Sequence, residues 1–333
     1  MEAKTDSEKP VEYHEEITDP KELKLLEDYK HSIATITDKK DKAVLDPFVL
    51  LDNDFLIHFL RARKHNVQKA TRMLLDYYHW KHNVKLDDLY NNFVLKEKYR
   101  IQLIFPHGFH KIAKDGSPIY IQVMGKLNPD EIFKLGTPED LTIYSALLNE
   151  RMEREYFKLG SQIKKRYVHG VFNIVDFKDI KTTKLLNKKI INYLKGSFKI
   201  MQDCYPESLS AAIVVNAGIA FRAFYSAIKF FIDSKTREKV KVYGENYREG
   251  LLDKVDADCL PSFFGGTCEC PGGCLFSGAG PWKKEDEKED IPEDILKARK
   301  ELNDYMFQGN KNNADKDDKL KNIGKEGVNP DNL

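Results

Sequence analysis

From Asp52 onward the apolar positions fall at helical spacing. Phe55, Leu56, Phe59 and Leu60 recur three and four apart, and Asp52 is placed to cap the first turn. A second helix is predicted from Asn66, its apolar face carried by Ala70, Leu74, Tyr77 and Trp80. This helical unit, residues 46–105, ends near Phe105. Upstream, residues 1–45 mix charges around a short helical pattern at Pro20–His31, and a loosely docked arm is expected there. Downstream the period changes. In "GFHKIAKDGSPIYIQVMG" two extended runs flank Lys114–Ser117, where Asp115-Gly116 marks a turn. Pro138 opens a long helix to about Leu159, and "VHGVFNIVDF" (168–177) reads as a buried strand. A helix follows from about Thr182 to Asp203, then a buried strand "AAIVVNA" (211–217), a helix from Gly218 to Phe231 and a strand "VKVYG" (240–244). Alternating strand and helix predict an α/β core with a largely parallel sheet over residues 106–282.

The longest apolar stretch, Leu209–Ile232, is long enough to cross a bilayer. Arg222 near its middle would cost roughly 2.5–3.5 kcal/mol there, and Lys229 adds to this. Asn216-Ala217-Gly218 also breaks the run, so the stretch reads as strand, turn and helix. Past Trp282 the chain becomes dense in charge. Within residues 283–333 a surface helix is expected at 293–307, and the remainder is expected to be disordered.

Composition narrows the function. The 333 residues carry a formal net charge of +1, without the basic excess of a nucleic-acid protein. The polar start lacks a signal peptide's apolar core, there is no Asn-X-Ser/Thr sequon, and the five cysteines are odd in number. A reducing cytosol is the expectation. The nucleophile elbow, the Walker A loop, the dinucleotide fingerprint and the His-Glu-X-X-His zinc motif are all missing from the sequence. An enzyme on an α/β scaffold is therefore the weaker reading. His79 and His82 sit three apart without nameable partner ligands, as packing histidines commonly do. Cys268, Cys270 and Cys274 in "CECPGGC", with Cys259 upstream, suggest a thiolate metal site. The usual Cys-X-X-Cys spacing is missing, which favours a Gly/Pro-rich turn with reduced cysteines and no metal.

One junction stands out. "FFIDSKTREKV" (230–240) joins an apolar segment directly to a charged helix start. Asp233 or Ser234 can cap that start, and Thr236 and Lys239, three apart, share a face. A hydroxyl and an ammonium beside helix-start amides suit a phosphate, although capped, charged helix starts are common by themselves. The preceding stripe of Phe221, Phe224, Tyr225 and Ile228 suits either a core or a pocket wall. A second basic element, Arg61, Arg63 and Lys64, ends the first helix, where the dipole favours cations and a phosphate or a membrane surface would also find them.

With these residues in view, the sequence resembles the Sec14-like phosphatidylinositol transfer proteins of the CRAL-TRIO family. "FLRARKHNVQKATRMLLDYYHWK", "KDGSPIY", "VDFKDI", "CYPESLSAAIVVNA", "FIDSKTREKV", "LPSFFGG" and "GPWKK" follow in the family's order over about residues 50–283. The resemblance implies a small helical module followed by a sheet whose flanking helices enclose a hydrophobic lipid pocket. It implies a gate helix at about Gly218–Ile232, with Phe221, Phe224, Tyr225, Ile228 and Phe231 facing acyl chains. Arg63, Glu207, Asp233, Thr236 and Lys239 would hold the phosphatidylinositol headgroup. A second lipid would lie near Phe109, Tyr120, Val171, Asn173 and Met201: the family's choline-lipid site carries small hydroxyl residues where this chain has Val171, Asn173 and Met201, and a tyrosine where it has Phe109, while Tyr120 fits the family pattern. That departure implies inositol-lipid rather than choline-lipid binding. The family further implies a monomer without cofactor beyond its bound phospholipid, cytoplasmic and peripheral to Golgi or endosomal membranes. Transient membrane contact and phosphoinositide kinases are the implied partners, in phosphoinositide signalling and vesicle trafficking. Rival readings are a carrier of another hydrophobic ligand, such as a sterol or a tocopherol-like molecule, and a scaffold presenting lipid to a kinase or small GTPase.

Overall fold

Five strands form one sheet in sequential order: β1 (His107–Ile112), β2 (Pro118–Val123), β3 (Val171–Asp176), β4 (Leu209–Val215) and β5 (Val240–Val242). The computed structural model describes residues 11–46, 48–284, 290–309 and 327–332. β1 and β2 make an antiparallel hairpin, while β2 to β5 run parallel. The hairpin turns where predicted. Gly116 takes φ +94°, and the Asp115 carboxylate accepts from the Ser117 amide at 2.9 Å. Parallel neighbours need crossovers, and helices supply them. Pro138–Arg151, a wide turn at Met152–Tyr156 and Phe157–Lys164 lead into β3. Lys188–Cys204 leads into β4, and Ile219–Ile228 and Ser234–Glu238 lead into β5.

Strand alternation divides the molecule. Ile119, Ile121, Phe172, Ile174, Ile213 and Val215 point to one face, covered by residues 243–275, among them Tyr247, Leu251, Phe264, Cys268 and Cys274. The other face carries Tyr120, Val171, Val175 and Val214 and meets the crossover helices. The site lies on this second face.

The N-terminal helices form a third core. Asp52 caps Asn53–Ala62 as the pattern predicts, and Asn66, expected to begin the second helix, caps Val67–Asn83. Residues 1–10 of the arm lie outside the described residues; from residue 11 on, the arm is not loosely docked. Helix Pro20–Ala34 buries Leu26, Tyr29 and Ile33, and the Tyr29 hydroxyl donates to the Ala70 carbonyl at 3.2 Å. Its Leu26–Tyr29–Ile33 spacing makes an apolar stripe that the surrounding charges obscured. His79 engages Asp41 at 2.7 Å. Cys204 and Tyr205 also join this core, tying the module to the end of the Lys188–Cys204 helix.

The tail helix expected at 293–307 forms, but it packs against the body rather than lying free on the surface. Helix Glu293–Gly309 buries Ile295, Leu302 and Met306, and its Arg299 donates to Gln102 at 3.1 Å. Val328 pairs antiparallel with Val242, which places 327–332 against the body. Residues 310–326, also expected to be disordered, lie outside the described residues. Among the described residues no helix is long and apolar enough to cross a membrane.

Candidate functional site

The headgroup candidates gather around the end of the Lys188–Cys204 helix. Glu207 takes a left-handed φ of +62° in the turn before β4, which aims its carboxylate at two lysines. Lys235 Nζ and Lys239 Nζ each lie 3.6 Å from it. Lys239 also donates to the Leu209 carbonyl at 2.7 Å. A cavity of about 380 Å³ opens beside this pair, lined also by His58, Arg61, Arg166 and His169. It falls in the size range of small-molecule sites, enough for a headgroup but not for a whole two-chain lipid.

Asp233, Thr236 and Arg63 lie outside that lining. Asp233 caps Ser234–Glu238, accepting from the Thr236 amide at 2.9 Å and from the Thr236 hydroxyl at 2.5 Å. Both carboxylate oxygens are thus engaged locally, a consequence of the capping role. Arg63 donates to Asp203 at 3.0 Å. The adjacent Gln202 bridges to the gate: it accepts from the Asp233 amide at 2.8 Å and donates to the Phe231 carbonyl at 2.7 Å. Lys235 reaches the Arg61 carbonyl at 3.3 Å. The helical module, the Tyr205–Glu207 turn and the segment after the gate therefore meet at one place.

The gate helix, Ile219–Ile228, has its stripe turned inward. Phe221, Phe224, Tyr225 and Ile228 are buried, and Phe231 is half-buried in the same cluster. Phe177 of the body meets the Phe221 ring edge-on at 4.9 Å between centroids. The outer residues Ile219 and Phe230 are 75% and 80% exposed. The Tyr225 hydroxyl donates to Asp331 at 2.7 Å, and Arg237 Nε donates to the same carboxylate at 2.9 Å. Residues 327–332 thus hold both the gate helix and the turn after it.

Four of the second-lipid candidates share the inner sheet face. Phe109 and Tyr120 are cross-strand partners with rings 4.7 Å apart, and Tyr120 pairs in turn with Asn173. Val171 lies two residues from Asn173, in one cluster with Met152, Tyr156 and Phe157. Trp282 stacks on Tyr156 at 4.1 Å. Asn173 Oδ1 is buried with no hydrogen-bond partner among the described residues. Met201 sits half-buried on the Lys188–Cys204 helix and is not brought into this cluster.

Apart from Glu207, the carboxylates and imidazoles at the cavity wall and behind it are not legible in the sequence. Arg61 is held by Glu22 through two 2.8 Å bonds and by Glu15 through a shorter one. Hydrogen bonds from Arg61 and His65 hold the Glu22 carboxyl at about 2, and those from His58 and Arg61 do the same for Glu15. His58 stacks on His169 at 4.0 Å between centroids. Burial pushes His58 down; His169 is buried too, yet the Glu153 carboxylate outweighs this and raises it. These partners come from five separate segments, and no local spacing betrays them.

Family models match on both sides of this meeting point: CRAL/TRIO, N-terminal domain over residues 5–76, and CRAL/TRIO domain over residues 105–266. The chain is 33% identical over 235 residues to a Sec14 cytosolic factor of Schizosaccharomyces pombe, covering 71% of this chain and 82% of that protein. It is 34% identical over 233 residues to the phosphatidylinositol/phosphatidylcholine transfer protein SFH7 of Arabidopsis thaliana, covering 69% of this chain and 42% of that one. The chain thus spans less than half of the plant relative. The crystal structure of Sfh5 shares the fold, with a TM-score of 0.61 at 16% identity over 88% of this chain and all of that one.

Proposed function

The chain belongs to the CRAL/TRIO family, and on that footing we propose that it binds a phospholipid, chiefly phosphatidylinositol, and exchanges it between membranes. One observation carries the reading. A gate helix with an apolar inner stripe leads, through Lys229–Phe231 and the short helix Ser234–Glu238, to Lys239, which faces Glu207 at a headgroup-sized cavity. The apolar element suits acyl chains and the polar one suits an inositol phosphate. Lys239 and Lys235 would contact the phosphodiester, joined by Arg63 and Thr236 once their present partners yield. Glu207 would accept from ring hydroxyls, and Asp233 would keep the turn folded.

The mechanism follows from energy. Two acyl chains hold roughly 30 methylenes at about 0.8 kcal/mol each, so release into water costs over 20 kcal/mol. The protein must open against a bilayer and swap one lipid for another. Such an exchange is nearly neutral, breaks no covalent bond and needs no nucleotide. The relatives' names, a cytosolic factor and a phosphatidylinositol/phosphatidylcholine transfer protein, support this reading and a working place at cytosolic membrane surfaces. Service to Golgi or endosomal membranes and to phosphoinositide kinases extends the same proposal.

The second ligand is proposed to carry a hydrogen-bond donor. Asn173 Oδ1 faces the aromatic cluster unpartnered, and a choline headgroup has no donor to give it. This keeps a hydroxyl-bearing lipid such as a sterol in view. Mass spectrometry of lipids captured from mixed liposomes tests both parts. Stoichiometric phosphatidylinositol that is lost in Lys239→Ala supports the reading, and a protein loaded only with sterol discards the inositol-lipid function.

A further inference from the structure

Away from the lipid-binding face, the structure gathers a second group of chemically capable side chains. His110 lies on β1 next to Phe109, but on the opposite face of the strand. Above that face runs the "CECPGGC" loop. The ligand atoms of His110, Cys268, Cys270 and Cys274 all lie within 4.8 Å of one another. We propose that these four residues form a tetrahedral zinc site fastening the loop to β1.

The distances suit a shared ion. Cys268 Sγ and Cys270 Sγ are 3.7 Å apart. A zinc–thiolate bond of about 2.3 Å places the sulfurs of a tetrahedral site about 3.8 Å from each other. All five cysteines are free. His110 adds an independent observation. It is fully buried, and neither ring nitrogen makes a well-formed hydrogen bond among the described residues, although the Cys274 backbone lies close to the ring. An imidazole buried in this way has lost its water with little compensation, and coordination supplies a partner. The loop is shaped to converge its sulfurs. Gly272 and Gly273 take φ of +77° and +92°, and the Cys270 amide donates to Cys274 Sγ at 3.4 Å. An amide donor to a thiolate is the support that metal ligands commonly have. Three thiolates and an imidazole select zinc over magnesium or calcium, and four protein ligands close the sphere, which makes the site structural rather than catalytic. The spacing Cys-X-Cys-X3-Cys hid the site because the fourth ligand comes from a distant strand.

Metal analysis of the full chain, purified with reductant and without chelator, tests this. About one zinc per chain is expected. Replacement with cobalt should give a thiolate-to-cobalt charge-transfer band and the intense visible bands of tetrahedral coordination. Cys270→Ser and His110→Ala should weaken zinc binding by more than the 10–100-fold typical of losing a supporting partner, while Cys259→Ser, outside the quartet, should leave it intact. Should the first two variants misfold, the cobalt spectrum of the unaltered chain decides alone. Absence of bound zinc with thiols that stay equally reactive when zinc is added, a weak octahedral cobalt spectrum, or a disulfide within the loop would overturn the assignment.

Discussion

The exposed ends of the gate offer the sharpest test of membrane-dependent exchange. Swinging the helix away would uncover Phe221, Phe224, Tyr225 and Ile228, all now buried. At about 1.5–3 kcal/mol per side chain, opening into water costs about 6–12 kcal/mol. With tenfold per 1.4 kcal/mol, the open state in water is populated at less than about one part in ten thousand. A bilayer removes that penalty by receiving the stripe. Ile219 and Phe230, at the two ends of the gate and 75% and 80% exposed, are placed to enter it first. Burying both contributes about 3–6 kcal/mol to docking. Ile219→Asp with Phe230→Glu removes this contribution and adds repulsion from anionic lipids. Transfer of fluorescent phosphatidylinositol between vesicles should fall at least about a hundredfold. The melting temperature should barely move, because exposed positions change stability by about 0.5 kcal/mol or less. A transfer rate within about threefold of the unaltered protein, at unchanged stability, would refute the reasoning, since that ratio corresponds to only about 0.7 kcal/mol.

Other outcomes follow from the same geometry. Lys239→Ala removes a charge-assisted contact worth about 1.5–3 kcal/mol, so phosphatidylinositol affinity should drop about 10–100-fold while uptake of lipids lacking phosphate is spared, as a liposome-capture assay would show. Asp331→Asn weakens the clasp on Tyr225 and Arg237, and vesicle transfer should speed up about two- to fivefold; slower transfer would rule out a restraining role. Glu15 and Glu22 are held at about 2 against an ordinary 4.5, so their stabilising contribution is complete above pH 4.5 and is lost as pH falls toward 2. Thermal melts across that window should show Glu22→Gln with a flatter pH dependence than the unaltered chain.

Local chemistry made much of this fold readable. Caps at Asp52, Asn66 and Asp233 and the Asp115-Gly116 turn depend on residues within three or four positions, so sequence spacing reports them directly. The inner stripe of the gate is likewise one helix's periodicity. What escaped depends on partners distant in the chain. Tyr29 is buried only because helix Val67–Asn83 covers it, which residues 1–45 alone do not reveal. Charge density masks the packing face of the expected tail helix, where Ile295, Leu302 and Met306 align and Arg299 finds Gln102. Among the site residues, Glu207 and Lys239 meet because β4 and β5 are neighbours in register, whereas the capping geometry of Asp233 already engages both its carboxylate oxygens.

The alternation of β1 links the two faces of the molecule. Phe109 meets Tyr120 and Tyr156 on the lipid-binding face, while His110 meets the cysteine loop behind it. The segment after that loop returns to the front, where Trp282 stacks on Tyr156 and lies edge-on to Phe109 at 6.1 Å. The same strand is held close from behind: a Cβ at Gly108 would lie 2.3 Å from the Leu275 carbonyl oxygen. Backbone packing this tight lets the loop's position set where β1 and Trp282 stand. Zinc in the rear site would therefore fix the shape of the aromatic wall without touching a lipid. Stripping the metal with chelator should then alter the intrinsic fluorescence of Trp282 and the choice of second ligand, while leaving headgroup binding at Lys239 near its original strength. Equal loss at both sites would instead mean that the loop supports the whole fold rather than this wall.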